Sequence, residues 1–262
     1  MSIKKKLKSP LGHLIILSNL HVMTLNDSAP VIAFHRISKK TTKNSLTYGL
    51  KNFKDFCTFL SCNFHVVPLT KILEKLKNKE SFEKELAITF DDGYQDNYEL
   101  AVPVLQELNL PATFFVTTKF IGTTYIPWWD RELGVRLDWM TWDQVRELHR
   151  LGFEVGSHTQ NHVDLGWVSK EEAFNELANS RKDMEEQISS PVTLFAYPYG
   201  GKHNITPDNR EVVRVVGYSC CCSCFGGINK RETDPFHLQR IPISNWYQSP
   251  QDFAFQLTMR RV

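Results

Sequence analysis

An α/β fold with a parallel sheet closed into a barrel and helices outside is what this sequence predicts. Three observations predict it. Short apolar runs alternate with stretches of helical periodicity along most of the chain. The helical stretches carry start and stop signals, such as Thr141 followed by Gln144 and closed by Gly152. The polar residues best suited to chemistry stand at or just beyond the C-terminal ends of the apolar runs, where barrel sites gather.

Residues 1–27 read as a segment of their own, in which Lys4, Lys5, Lys6 and Lys8 precede Leu11-Gly12-His13-Leu14-Ile15-Ile16-Leu17. The apolar run is too short to span a membrane, and no small-x-small cleavage site follows cleanly. Two readings stay open: a helix lying on a membrane surface, or a simple packing helix. Residues 28–262 are expected to form one catalytic domain. Within it, 31–34 reads as a strand, 53–59 as a helix, 64–67 as a short strand and 69–76 as a helix. Residues 86–90 are a buried strand, 97–108 a helix interrupted by Pro103, and 112–116 a strand. Between Gly122 and Met140 lies a loop carrying Tyr125, Trp128, Trp129 and Trp139, suited to a wall beside the site. A helix capped by Thr141 leads to the strand 153–155, and Ser169 caps a long helix. Residues 193–196, 218–222 and 238–243 are the last strands.

Composition narrows the function. A chain of 262 residues, 42% hydrophobic and 23% charged, suits one large domain with a substantial core. Its formal charge is +2, and four of its positive charges are the N-terminal lysines, so no nucleic-acid surface is expected. Four of the six cysteines, Cys220, Cys221, Cys222 and Cys224, crowd one expected strand. Strand neighbours point to opposite faces and are poorly placed to pair. They read, with Cys57 and Cys62, as small buried hydrophobes in a reduced compartment, cytoplasmic or inner-membrane-associated, with export left open.

The chemistry-bearing residues form two clusters. Thr89-Phe90-Asp91-Asp92-Gly93 sets two carboxylates where an apolar run stops, and His158-Thr159-Gln160-Asn161-His162 sets two imidazoles four residues apart. In a regular strand Asp91 and Asp92 would face opposite ways, so they share a site only if the strand ends there, and Gly93 permits that exit. Two adjacent carboxylates repel unless a cation neutralises one. A divalent metal on Asp92, His158 and His162 solves this and leaves Asp91 free as a base. Read singly, Asp-Asp-Gly also suits a turn, and the histidine spacing arises by chance.

Taken together, these residues resemble the polysaccharide deacetylase family, the NodB-like carbohydrate esterases of family 4. Its motifs T-F-D-D-G and H-[ST]-x-x-H both stand here, and Phe195-Ala196-Tyr197-Pro198-Tyr199-Gly200 is similar to its Pro-Tyr-Gly motif. The run Phe90-Asp91-Asp92-Gly93-Tyr94-Gln95-Asp96-Asn97-Tyr98 looks like the branch acting on exopolysaccharides and poly-N-acetylglucosamine. The resemblance implies an irregular (β/α)7-type barrel and a metal-dependent hydrolase that removes N-acetyl groups from a glycan or lipid-linked oligosaccharide. Zn2+ is the implied ion, with Co2+, Ni2+ or Fe2+ as alternatives. It also implies that the Tyr199 N–H holds an oxyanion, with Gly200 and Gly201 allowing close approach. An O-acetyl esterase and an inactive carbohydrate-binding barrel are the competing readings.

Two family positions are altered. The late Leu-x-His motif that carries the general acid is replaced by Leu238-Gln239-Arg240. His35, ending the first strand, is the best substitute, ahead of His237 and His203; it also reads simply as a histidine ending a strand. The arginine that orients the base is replaced by Ala196, and Arg240 is the candidate to reach Asp91 instead, an ordinary salt bridge being the plainer reading. Trp128, Trp129 and Tyr94 suit stacking on sugar rings, or plain loop packing.

Overall fold

Four parallel strands, Val31–Phe34, Glu85–Phe90, Thr113–Val116 and Glu154–Ser157, lie side by side in that order in the computed structural model of the chain. The model describes residues 3–25, 27–40, 44–244, 247 and 249–259. Phe34 sits level with Phe90, and Phe90 with Phe114, and the three rings stack at 5.4 and 4.8 Å. Beyond Ser157 the staves shrink to single parallel bridges: Ser157 to Phe195, Ala196 to Cys222, and Cys222 to Leu238. The pair Ile241–Pro242 then returns to Val31–Phe34 and closes the ring. The result is an α/β barrel, irregular on its later side.

The three late strands expected at 193–196, 218–222 and 238–243 are therefore reduced to bridges and one two-residue strand. Pro191, Pro198, Pro235 and Pro242 bracket these segments, and each removes a ladder donor. The helix expected at 97–108 is also modified: a π turn, Asn97–Ala101, precedes the α-helix Val102–Glu107. Pro103 lacks the N–H that a continuous α-helix would use there, and the wider turn accommodates it. The aromatic loop contains a short helix, Trp128–Glu132.

Alternate strand residues feed two cores. Val31, Ala87, Phe115, Leu194, Ala196, Cys220, Cys222 and Leu238 share the inner cluster with Leu69, Ile72 and Leu76 of the helix Leu69–Asn78. Ile32, Phe34, Leu86, Ile88, Phe90 and Phe114 join the outer one, under the surrounding helices. Strands buried on both faces read as unbroken apolar runs. The small Ala and Cys side chains suit the narrow interior. All six cysteines are unpaired, but Cys62 is exposed and Cys224 only half-buried.

Helix ends follow their caps. Thr141 and Gln144 make a reciprocal capping box for Trp142–Arg150, and Ser169 accepts from the Glu172 N–H to start Lys170–Ile188. The N-terminal helix Ile3–Leu17 packs along the C-terminal helix Pro250–Met259, where a Cβ on Gly12 would overlap the Gln251 carbonyl. Ile15, Val22 and Leu25 are buried in the outer core, so this segment packs on the barrel. Leu11, Leu14, Leu17, Leu20, Met23 and Met259 remain exposed. The side chains of Lys4, Lys5, Lys6 and Lys8 lie outside the described residues. No described helix is long and apolar enough to cross a membrane.

Candidate active site

The site forms where the strand Glu85–Phe90 stops. The Asp91 N–H donates to the Phe34 carbonyl at 2.9 Å, the last step of the ladder. The backbone then turns left-handed, with φ of 75° at Asp92 and 92° at Gly93. This turn brings both carboxylates to the same barrel mouth. Both are nearly solvent-free, at 1% and 2% exposure.

Asp91 is held by Arg240, which is fully buried. Nη1 donates to Oδ1 and Nη2 to Oδ2, both at 2.7 Å. Arg240 Nε donates to the Ser223 carbonyl at 2.7 Å, and Nη1 also to Thr89 Oγ1 at 3.0 Å. Every nitrogen of the fork is thus fixed. Burial alone would raise the Asp91 carboxyl, but the Arg240 guanidinium and the neighbouring histidines hold it below the ordinary carboxylate value.

Asp92 faces His158 and His162, whose Nε2 atoms lie 3.4 and 3.3 Å from its Oδ1. His158 Nδ1 lies 2.8 Å from the Ala196 carbonyl, so Nδ1 carries the proton and Nε2 presents its lone pair. Asp92 Oδ1 is buried and bonded to no hydrogen-bond donor among the described residues. Burial works to raise the Asp92 carboxyl, yet the two imidazoles bring it well below its usual range. Burial lowers His162, against the pull of Asp92. One carboxylate oxygen and two imidazole rings converge here, each able to offer one ligand atom within 4.8 Å of the others, a donor set that suits a divalent ion. The residues present fit such a group.

His35 completes this mouth: its Nε2 is 4.0 Å from Asp91 Oδ2 and its side chain is 19% exposed. Asn97 Nδ2 donates to the His35 carbonyl at 2.8 Å and anchors it. Tyr199 is left-handed, with φ of 61°, and its ring lies 5.0 Å from that of His162. Among the described residues nothing accepts from its N–H. Trp128 Nε1 donates to the Tyr199 hydroxyl at 3.3 Å, and the Trp129 ring lies 4.6 Å from His162. His35, Asp91, Asp92, Trp128, Trp129, His158, His162 and Tyr199 all line one pocket of about 300 Å³.

Two expectations are corrected. Tyr94 cannot stack on a sugar: it is fully buried, its ring lies on Trp139 at 4.3 Å and its hydroxyl donates to Asp130 Oδ2 at 2.9 Å. The turn at Gly93 points it inward under the site. Gly200 does not open the site to a ligand. A Cβ there would fall 2.6 Å from the Cys224 nitrogen, so this glycine serves backbone packing, and Gly201 likewise abuts Asn204 Oδ1. Of the other histidines, His237 lies beside Phe225 in a second cavity, and His203 is exposed on a loop; neither lines the pocket.

Sequence reasoning missed Arg36 and Asp130. They form a buried ion pair linking the first strand's exit to the short aromatic helix. Asp130 also accepts from Tyr94, whose hydroxyl in turn accepts from Trp129 Nε1 at 2.8 Å. A chain of contacts thus runs from Arg36 through Trp129 to His162. Ser45, Leu46, Tyr197 and Cys224 were likewise unforeseen in the pocket wall. No periodicity marks them; a charged residue directly after His35 was the one available signal.

The chain is similar to known proteins over most of its length. The family model for polysaccharide deacetylase matches residues 78–221. YxkH of Bacillus subtilis (strain 168) is 28% identical over 217 residues, 82% of this chain and 71% of that protein. The poly-beta-1,6-N-acetyl-D-glucosamine N-deacetylase of Staphylococcus epidermidis is 26% identical over 263 residues, covering 90% of this chain and 87% of its own. The solved structure of IcaB from Ammonifex degensii superposes with a TM-score of 0.74 at 21% identity, covering 88% of this chain and 97% of that one.

Proposed function

We propose, since the chain belongs to the polysaccharide deacetylase family, that it hydrolyses the N-acetyl groups of an N-acetylated amino-sugar polymer with the help of one divalent ion. The observation that carries the metal is the orphaned Asp92 Oδ1 facing two imidazole nitrogens. The name of the staphylococcal relative supports an N-linked acetyl on a poly-N-acetylglucosamine as substrate.

Asp92, His158 and His162 would hold the ion, which supplies Lewis-acid polarisation of the acetyl carbonyl and a more acidic water. Asp91 is placed to accept the proton of the attacking water. Arg240 keeps Asp91 ionised and fixes both of its oxygens, so the base waits in one orientation. The Tyr199 N–H is free to donate to the developing oxyanion. His35, beside Asp91, gives a proton to the departing amine, which leaves poorly as an anion. Trp128 and Trp129 offer apolar ring faces to the sugar.

His158→Ala tests the metal. Full-length protein loaded with Zn2+ should bind about one ion, the variant almost none, and acetate release from poly-β-1,6-N-acetylglucosamine oligomers should vanish with it. Unchanged metal stoichiometry in a folded variant would overturn the ligand assignment. Acetate released from O-acetylated xylan but not from the amino-sugar oligomer would move the assignment to the esterase reading.

We propose further that the N-terminal segment rests on an anionic membrane surface. Leu11, Leu14, Leu17 and Met23 stay exposed beside four lysines in sequence. Leu14→Glu with Leu17→Glu should lower co-sedimentation with phosphatidylserine-containing vesicles severalfold and leave turnover of a soluble oligomer unchanged. Equal sedimentation of both proteins would refute it.

A further inference from the structure

The two histidines that would hold the ion are supported differently. His158 Nδ1 meets the Ala196 carbonyl at 2.8 Å, which fixes its ring. His162 Nδ1 is buried and meets no hydrogen-bond partner among the described residues. A ligating imidazole ordinarily uses that second nitrogen to hold its orientation. For His162 the orientation has to come through the backbone, and that backbone is unusual. Thr159 and His162 are both left-handed, with φ of 64° and 57°. A β-branched residue such as Thr159 avoids this region, so contacts from outside the loop must hold it there.

Those contacts come from two sides. On one, the Thr118 N–H donates to the Thr159 carbonyl at 3.2 Å, and the Lys119 N–H to the Gln160 carbonyl at 2.9 Å. On the other stands the helix Lys170–Ile188. Glu176 Oε2 accepts from two successive backbone N–H groups, Gln160 at 3.0 Å and Asn161 at 2.9 Å. Its Oε1 accepts from Asn161 Nδ2 at 2.6 Å. Asp183 lies about two turns further along the same helix face. It accepts from Gln160 Nε2 at 3.0 Å and from Thr118 Oγ1 at 2.8 Å. Glu176 is buried, at 8% exposure. Every hydrogen bond it accepts among the described residues comes from this loop. Taking a carboxylate out of water is costly unless donors replace the water, and here the loop between the two histidines supplies them.

We infer that Glu176, aided by Asp183, is a positioning residue that sets the loop from His158 to His162 and so aims the His162 imidazole at the ion. It acts through the backbone, in place of the acceptor that His162 Nδ1 lacks. The inference rests on the reading of Asp92, His158 and His162 as metal ligands.

The test measures the Zn2+ affinity of the full chain by competition with a chromophoric chelator. Glu176→Leu leaves the Gln160 and Asn161 N–H groups unpaired, and should weaken Zn2+ binding by about 10- to 100-fold. Glu176→Asp keeps the charge but withdraws the carboxylate by one methylene. It should weaken binding severalfold, and serves where the Leu variant does not fold. Glu176→Gln should bind Zn2+ close to wild type. Its amide oxygen can accept both N–H groups, and the Asn161 amide can turn over to face the new NH2 group. Leu177→Ala controls for stability, since Leu177 is fully buried on the same helix. It should lower the thermal midpoint of the metal-free protein and keep wild-type Zn2+ affinity. Wild-type affinity in Glu176→Leu or Glu176→Asp would overturn the positioning role, as would an equal loss in Glu176→Gln or Leu177→Ala. A wild type that binds no Zn2+ would instead sink the ligand reading beneath it.

Discussion

Asp91→Asn is expected to keep its divalent ion and lose between about 10² and 10⁴ in kcat, the usual worth of a positioned general base. The amide preserves shape and one acceptor oxygen, so the fold and the ligand set around Asp92 should stand. Its other terminal group would turn a donor toward the Arg240 guanidinium, so modest destabilisation is expected alongside. KM for the glycan should change little, because the aromatic wall and the ligand set are untouched. Steady-state kinetics with metal analysis on the same preparation checks this. Loss of the metal together with the rate would make Asp91 a ligand and not a base.

Arg240→Met should have the second large effect, on stability and rate together. Removing one partner of a buried pair leaves a charge with no compensation and typically costs about 3–5 kcal/mol. For a domain of this size that lowers the thermal midpoint by on the order of 10 °C. The rate should fall too, because Asp91 loses both its orientation and the charge that keeps it ionised. The double variant with Asp91→Asn should recover much of the stability and none of the activity. A double variant no more stable than Arg240→Met would show that Arg240 supports the fold through Ser223 and Thr89, not through Asp91.

Much of this was legible in the sequence, for identifiable reasons. The strands around Ile32, Ile88 and Phe114 are buried on both faces, and unbroken apolar runs announce them. The Asp-Asp-Gly and His-x-x-x-His spacings are local, so the chain itself brings their members together. The late staves were overread because Phe195, Ala196, Cys222 and Leu238 look like strand residues, while the neighbouring prolines cut each ladder to one bridge. Pairs such as Arg36 with Asp130 leave no trace in spacing, since only the closed barrel brings them into contact. Tyr94 reads as a stacking surface because aromatic rings suit sugar faces, and the plainer packing reading holds: its ring is buried on Trp139 and its hydroxyl donates to Asp130.

The ring closes between segments far apart in sequence: Ile241 pairs beside Ile32, and the helix Ile3–Leu17 lies against Pro250–Met259 around Gly12. During synthesis the N-terminal staves leave the ribosome long before their partners exist. The first strand waits without its neighbour on one side, and Asp91 waits without Arg240. Such closures are entropically late steps in folding. The nascent barrel therefore exposes a strand edge until the last segments arrive, which is a window for aggregation and for chaperone capture. It also means that Asp91 meets the guanidinium that orients it only after the segment around Arg240 has joined the fold.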